Sequence, residues 1–513
     1  MSKKYDIVVI GGGHNGLIAA TTLARKNKKV LVLEKRSILG GIAAGEEFYP
    51  GYKSVGLLHD TSEVRATVIK ELELEKFGLK SRSSRPTYSI LSKKGDYLHL
   101  SGDVDKAVNG ISKFSQKDAD AYLEYQEFIG KIRGFINGLM NETPPDLMDL
   151  RGKQIWELAK KGIALKKLGK KTMMELLKVA PMSVADFLNE KFETDFIKAG
   201  IAGPAIYGSY TGPWSSYTTL NLLLWECAAN QSNVGGPQGL ITAIEGAAKA
   251  TGVDIQTNAK VECIVLNKDG KVAGIKLSDG EEIQCDTVAA SCTPRITFFN
   301  LLKPNQIDYS LEHGIQHYRS RGTTAKVHLA VNKEIKFNGE LSEFVRTGNS
   351  FDEMERAFDH VKYREFSEEP ILDIHIPTIG DPSLAPAGHH VISLLVHFAP
   401  HHFDEGWSEI TKKRLYDRVM KTLQQYSPDI TSAVVGSEVL SPVDLEERYG
   451  LTNGHIFHGE HAVDQLITRP IPSCSRYKTP IQGLYLCGSG SHPGGGITGM
   501  PGYLGAKMIL ENM

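Results

Sequence analysis

Residues 5–41, YDIVVIGGGHNGLIAATTLARKNKKVLVLEKRSILGG, decide the fold. Residues 6–10 are a short, mostly apolar run, which predicts a strand buried on both faces. The run meets Gly11-Gly12-Gly13-His14-Asn15-Gly16, a match to G-x-G-x-x-G. Residues 17–26 predict a helix, with Arg25, Lys26, Lys28 and Lys29 placed where cations favour the negative end of its dipole. Residues 30–33 predict a second buried strand, and Glu34 follows it, 18 residues after Gly16. In a dinucleotide-binding unit an acid at that position accepts hydrogen bonds from ribose hydroxyls. A glycine pattern alone is weak evidence; strand, loop, helix, strand and acid in this order are specific. Gly11, Gly13, Gly16 and Glu34 are therefore candidate cofactor residues.

The far end of the chain carries a second such pattern. Residues 483–503 read GLYLCGSGSHPGGGITGMPGY, with seven glycines between positions 488 and 502. An apolar strand, a glycine loop and a helix opened by Pro501 follow one another without a gap. Backbone N–H groups freed from side chains, ahead of a helix N-terminus, suit an anionic or electron-rich group. The two ends of the chain predict two walls of one cofactor site.

A chain of 513 residues predicts more than one domain. Its formal net charge of −1 gives no support to a nucleic-acid partner. The six cysteines, Cys227, Cys263, Cys285, Cys292, Cys474 and Cys487, form no C-x-x-C or zinc spacing, which predicts a reduced, cytoplasmic protein. A strand entered by Tyr5 leaves no room for a signal peptide, and no apolar run reaches the ~18 residues of a membrane span.

In the middle of the chain, residues 261–291 alternate with period 2 and are broken by Asn267-Lys-Asp-Gly270 and Ser278-Asp-Gly280, which predicts a β-meander. Residues 235–239 (GGPQG) lack a preceding apolar strand, so a separate NAD(P)H domain is not expected. Residues 151–178 carry Arg151 and eight lysines against Glu157 and Glu175, with Trp156, Ile163, Leu168 and four Met/Leu residues at 173, 174, 176 and 177 interspersed. Two readings stand: the solvated face of a cap domain, or a surface that lies on an anionic bilayer. Ser183 and Asp186 predict a helix start. His389, His390, His397, His401 and His402 flank an apolar run and match no ligand spacing, so no metal site is expected.

Arg36-Ser-Ile-Leu-Gly40-Gly41 resembles the R-x-x-x-G-G extension of FAD enzymes built like amine oxidases and phytoene desaturases. Further landmarks are Pro50-Gly51-Tyr52, SVADFLNEKFETD (183–195), VGGPQG (234–239), IPTIGDPSLAP (376–386), GHIFHG (454–459) and Asp464-Gln465-Leu466. On these the chain resembles the FAD-dependent phytoene desaturase and carotenoid isomerase type of oxidoreductase. Its branch of resemblance is that of the pyridine nucleotide-disulphide oxidoreductase domain-containing proteins. With no cysteine before Cys227, the chemistry of a disulfide reductase is excluded in its usual form.

The resemblance implies an α/β protein: a Rossmann-like FAD-binding domain of amine oxidase or glutathione reductase type, assembled from residues 1–80, 235–295 and 450–513. An α+β substrate or cap domain, residues 81–234 and 296–449, is inserted. The resemblance implies that Arg36, Gly40 and Gly41 approach the cofactor, that Val261 reaches the adenine through its backbone, and that Gly488 and Ser489 meet the pyrophosphate and ribityl chain. Gly499 and Met500 are implied beside the flavin pyrimidine ring. It implies hydride transfer at a C–C bond of an apolar, polyene- or lipid-like substrate. A flavin-dependent double-bond isomerase without net redox and a lipid-binding escort protein are the alternatives. Candidate acid–base residues are His492, then His59, then Tyr503.

Overall fold

In the computed structural model, which describes residues 4–146, 148–149 and 151–513, the opening strand is Lys4–Ile10. It pairs in parallel with Val30–Leu33 on one side and Glu282–Ala290 on the other. Asp254–Gln256 extends the sheet beyond Val30–Leu33, and Leu484–Leu486 joins it beside Glu282–Ala290, both in parallel. Numbered by their order along the chain, these strands lie 3-2-1-4-5. That is a doubly wound sheet whose direction of winding reverses between Lys4–Ile10 and Glu282–Ala290, and the crevice at such a reversal binds ligands.

Side chains alternate across the sheet. Ile7, Val9, Val30 and Val32 pack into a core with the helices His14–Ala24, Gly236–Ala250 and Met500–Asn512. Val8, Ile10, Leu31 and Leu33 face a second core on the meander side. The meander forms as the turn residues require: Val261–Leu266 pairs antiparallel with Val272–Leu277, which pairs antiparallel with the first residues of Glu282–Ala290. Asn267 Oδ1 accepts from the N–H groups of Asp269 and Lys271, and Gly270 and Gly280 take left-handed φ values of 75° and 95°.

The first helix starts at His14, three residues earlier than the apolar pattern predicts. Gly13 is its cap residue, and no side chain caps it. The fingerprint loop is thus already the first helical turn, which leaves N–H groups aimed at the crevice. The last helix likewise starts at Met500, one residue before Pro501. The helix expected at Ser183 is present, its hydroxyl accepting from Asp186 N.

A second sheet runs Val434–Leu440, Thr324–Val331, His390–His397, Leu372–His375, Phe344–Arg346, Tyr88–Leu91, Tyr97–Leu100. Its pairs are antiparallel except Phe344–Arg346 with Tyr88–Leu91. Register places Arg346 opposite Asp373, Asp373 opposite Leu395, and Leu395 opposite Lys326. Phe344, His375, Ser393 and His328 form the neighbouring row. Residues two apart share a face, so one side of this sheet carries a band of charge. The helices Gln116–Met140, Asp195–Ile206 and Thr218–Ala228 pack together into a further core in which Ile90 and Leu98 of this sheet take part.

Residues 151–178 form the helices Lys153–Lys167 and Lys170–Val179. The side chain of Lys153 lies outside the described residues. Among the described residues, no helix is long and apolar enough to cross a membrane.

Candidate functional site

The crevice at the winding reversal is a cavity of about 690 Å³ lined by Gly11, Gly13, Glu34, Arg36, Gly41, Val261 and Ser489. Close contacts explain the glycines. A Cβ on Gly16 would lie 2.0 Å from Gly11 O, and one on Gly488 would lie 2.5 Å from Ser291 O. Gly40 N donates to Gly12 O at 2.8 Å, so the two glycine turns brace each other. Glu34 Oε2 accepts from Gly12 N (2.8 Å) and Oε1 from Arg36 N (2.9 Å). Each carboxylate oxygen keeps a lone pair for a further donor such as a ribose hydroxyl.

The two ends of the chain meet at Asn15. Its Nδ2 donates to Ser489 Oγ at 3.0 Å, and its Oδ1 accepts from Gly502 N at 3.3 Å. A buried amide thus joins the first helix to the C-terminal loop and the last helix. Three buried nitrogens on residues of the cavity wall, His14 Nε2, Arg36 Nη1 and His458 Nδ1, have no hydrogen-bond partner among the described residues. Buried polar atoms without partners are rare in a finished structure. A guanidinium donor left open beside a glycine-rich helix start fits the phosphates of a dinucleotide. By this test the cavity fits FAD, which Glu34, Arg36, the 11–16 loop, Val261 and Ser489 in its wall would hold. Gly499 (φ 73°) and the buried Met500 open the last helix but do not line this cavity.

Residues 455–461 divide this cavity from a second one. His458 faces the first, while His455, Phe457 and His461 face the second. The second cavity, about 100 Å³, is bounded by Pro493, Gly495 and Thr498 of the C-terminal loop. Its rings are Tyr88, Tyr207, Trp225, Phe344 and Phe457; its charged groups are Asp60, Glu63, Arg65, Arg346 and Asp373. Arg346 Nε donates to Asp373 Oδ1 at 3.1 Å, and its guanidinium sits 3.8 Å from the Tyr88 ring centre. His397 Nε2 lies 3.0 Å from Asp373 Oδ2. Burial works to raise the Asp373 pKa, but Arg346 and His397 outweigh it and hold the carboxyl below its ordinary value.

The three acid–base candidates separate. His492 is buried, with Nε2 3.1 Å from Leu139 O and Nδ1 3.4 Å from Leu466 O. Burial pushes its pKa down to about 4, so it is a neutral ring tying the loop to the end of helix Gln116–Met140, and it lines neither cavity. Tyr503 is packed into the core beneath the first sheet and also lines neither. His59 does line the second cavity, but its Nε2 lies 2.6 Å from Lys326 Nζ. Lys326 is fully buried, donates to Leu57 O at 2.8 Å, and burial drives its pKa well down.

The histidines near residue 400 are each engaged separately: His389 with Tyr52, His390 with Thr378, His397 with Asp373, His401 with Glu446. His402 meets the His401 ring edge-on. All six cysteines are free thiols. Cys292, in the wall of the first cavity, is pushed up to about 12 by burial, which makes it a poor nucleophile.

The local pattern did not reveal Asn15, Glu63, Lys326, or the Arg346–Asp373 pair. A charged residue inside the apolar run 324–331 was the available signal for Lys326.

A family model described as flavin containing amine oxidoreductase matches residues 16–502. Pyridine nucleotide-disulfide oxidoreductase domain-containing protein 2 of Rattus norvegicus is 32% identical, with 100% of this chain and 94% of that protein covered. One of the limonene dehydrogenase polypeptides of Castellaniella defragrans is 28% identical, covering 100% and 95%. Among solved structures, an oxidoreductase from Methanosarcina mazei superposes with a TM-score of 0.62 at 18% identity, covering 99% of this chain and 100% of that one, a likeness of fold.

Proposed function

The chain belongs to the flavin containing amine oxidoreductase family, an FAD-dependent oxidoreductase, and we propose that it oxidises or saturates a C–C bond in a small molecule with an apolar body and a polar end. Bound FAD supplies two-electron chemistry by exchanging a hydride with a substrate carbon. The observation that carries the reading is the composition of the second cavity. Trp225, Phe344, Phe457 and Leu58 favour a hydrocarbon body, and a relative named for limonene dehydrogenation supports one. Asp60, Arg346 and Asp373 in the same wall do not suit a purely hydrocarbon polyene, because charged groups facing dry hydrocarbon lose solvation without return. A hydroxyl, amine or carboxylate on the substrate would satisfy them.

The test is anaerobic mixing of the yellow holoenzyme with a series of terpenes, polyenes and their alcohol, amine and acid derivatives. Bleaching of the flavin absorbance by polar-ended members, and not by the parent hydrocarbons, is expected. Bleaching by hydrocarbons alone would overturn the polar end. Conversion only by pre-reduced enzyme, with no reoxidation, would replace dehydrogenation by double-bond isomerisation.

We also propose peripheral contact with an anionic bilayer through residues 151–178. Ile155, Trp156, Met174 and Leu177 are each more than half exposed, among lysines. Lys161 Nζ donates to Gly138 O, which anchors the segment to the helix whose last residue, Met140, lines the second cavity. Charge draws the lysines to anionic headgroups while the apolar side chains enter the interface. Flotation with phosphatidylserine-containing vesicles is expected, lost at high salt and when Lys160, Lys166, Lys167, Lys170 and Lys171 become glutamine. Flotation unchanged in that variant would rule the segment out.

A further inference from the structure

Most acids and histidines of the second cavity are engaged. Asp60 accepts from the backbone and side chain of Ser62, and Tyr88 OH lies 3.4 Å from it. Asp373 is held by Arg346 and His397. His59 lies against Lys326. His461 Nε2 accepts from Gly495 N at 3.1 Å. His455 Nδ1 accepts from Phe457 N, so its proton sits on Nε2, which is without a partner among the described residues and can only donate. Glu63 stands apart. Its carboxylate lines the cavity and accepts no hydrogen bond among the described residues. It lies against the C-terminal glycine loop: a Cβ on Gly496 would fall 2.5 Å from Glu63 Oε2.

We propose that Glu63 is the catalytic acid–base residue of this cavity. The assignment rests on the redox reading of the same site. In the oxidative direction, bound FAD would supply the hydride acceptor for one substrate carbon. Glu63 takes the proton from the neighbouring atom, and the electron pair of that bond closes the new double bond. One hydride and one proton would leave the substrate, a two-electron oxidation for which bound FAD would be the acceptor. In the reverse direction the protonated carboxyl returns the proton.

The electrostatics agree with the geometry. Burial pushes the Glu63 pKa up to about 7; Arg65 on its own segment opposes this and Asp60 adds to it. Across the cavity, the Glu63 charge acts on Tyr207, and His455 and His461 share the wall. A carboxyl poised near neutrality exchanges protons in both directions, where an ordinary carboxylate is a poor acid.

Two measurements on the holoenzyme test this. First, dicyclohexylcarbodiimide adds only to protonated carboxyls, and peptide mass mapping should find its adduct on Glu63 at pH 6 and not at pH 9. Second, with a compound that bleaches the wild-type flavin, E63Q should keep its flavin and thermal midpoint yet bleach about 100-fold more slowly or worse. The wild-type rate should rise with pH through about 7, the E63Q rate should not, and E63D should recover part of the loss. No adduct on Glu63 at pH 6, or E63Q bleaching at the wild-type rate with the wild-type pH profile, would overturn the proposal. Failure of the redox reading looks different. A wild-type flavin bleached by nothing in the series, with Glu63 still labelled, would remove hydride transfer and support the proton-carrying carboxyl.

Discussion

Replacing Gly16 by alanine is expected to give a colourless protein. The methyl group would lie 2.0 Å from Gly11 O and 3.3 Å from Ser291 Cβ. Neither contact is the free end of a flexible side chain. Gly11 O belongs to the turn that shapes the cofactor crevice, and Ser291 follows the strand on the other side of the winding reversal. Relief requires the first helix to move away from the sheet. That helix also carries Asn15, whose bonds to Ser489 and Gly502 hold the C-terminal loop. The damage therefore reaches both walls of the site. Overpacking of this kind costs about 1–3 kcal/mol or more, and flavin affinity is lost beyond that. The flavin-to-protein absorbance ratio and the thermal midpoint check the result. Gly130→Ala is the control, because a Cβ there meets nothing within 4 Å on an exposed helix face. It should keep its colour and gain roughly 0.5–1 kcal/mol from the lower backbone entropy of its unfolded chain. A G16A protein with wild-type flavin content would refute the crowding argument.

Arg346→Met is expected to destabilise the second sheet by about 3–5 kcal/mol at neutral pH, since it strands a buried carboxylate. The side chains of Arg346 and Asp373 are only 8% and 10% exposed. In the wild type the Asp373 pKa is lowered. Its contribution is present above the unfolded carboxyl pKa and fades as pH falls through the lower folded value. Without Arg346, burial outweighs His397 and the folded pKa rises. Native Asp373 then takes up a proton that the unfolded chain does not bind. The deficit of the variant is largest above pH 7 and shrinks toward pH 5. Urea unfolding of both proteins at two pH values measures this, with flavin fluorescence and far-UV dichroism recorded together to test for a single transition. A deficit under about 1 kcal/mol, or one independent of pH, would show that Asp373 is adequately solvated without the arginine.

The parts of the fold readable from sequence are those set by neighbours along the chain. Residues 6–10 and 30–33 had to be strands because apolar runs that short, closed by Gly11 and Glu34, suit a doubly covered sheet. The meander was readable because Asn267 and the glycines at 270 and 280 fix their own turns. Glu34 was readable because one helix and one strand have nearly constant length. The second cavity had no such local signature. Arg346 and Asp373 become partners through strand register, Glu63 reaches the C-terminal loop through the packing of the first core, and each looks like an ordinary surface charge in its own segment. The start of the first helix was missed for a related reason. Apolar periodicity begins at Leu17, but the backbone turns helical at His14, where the residues serve the ligand rather than the core.

Asn15 and Ser489 are 474 residues apart. At ribosomal rates of about 5–20 residues per second, the first partner waits roughly 25–95 s for the second. Until then Glu282–Ala290 lacks the neighbour that pairs with its last residues, and the fingerprint loop lacks the wall opposite. Flavin capture and the closing of the sheet are therefore one late event. A shortage of flavin during synthesis would leave an open strand edge exposed on nearly finished chains, and lowered solubility would report it before any loss of activity.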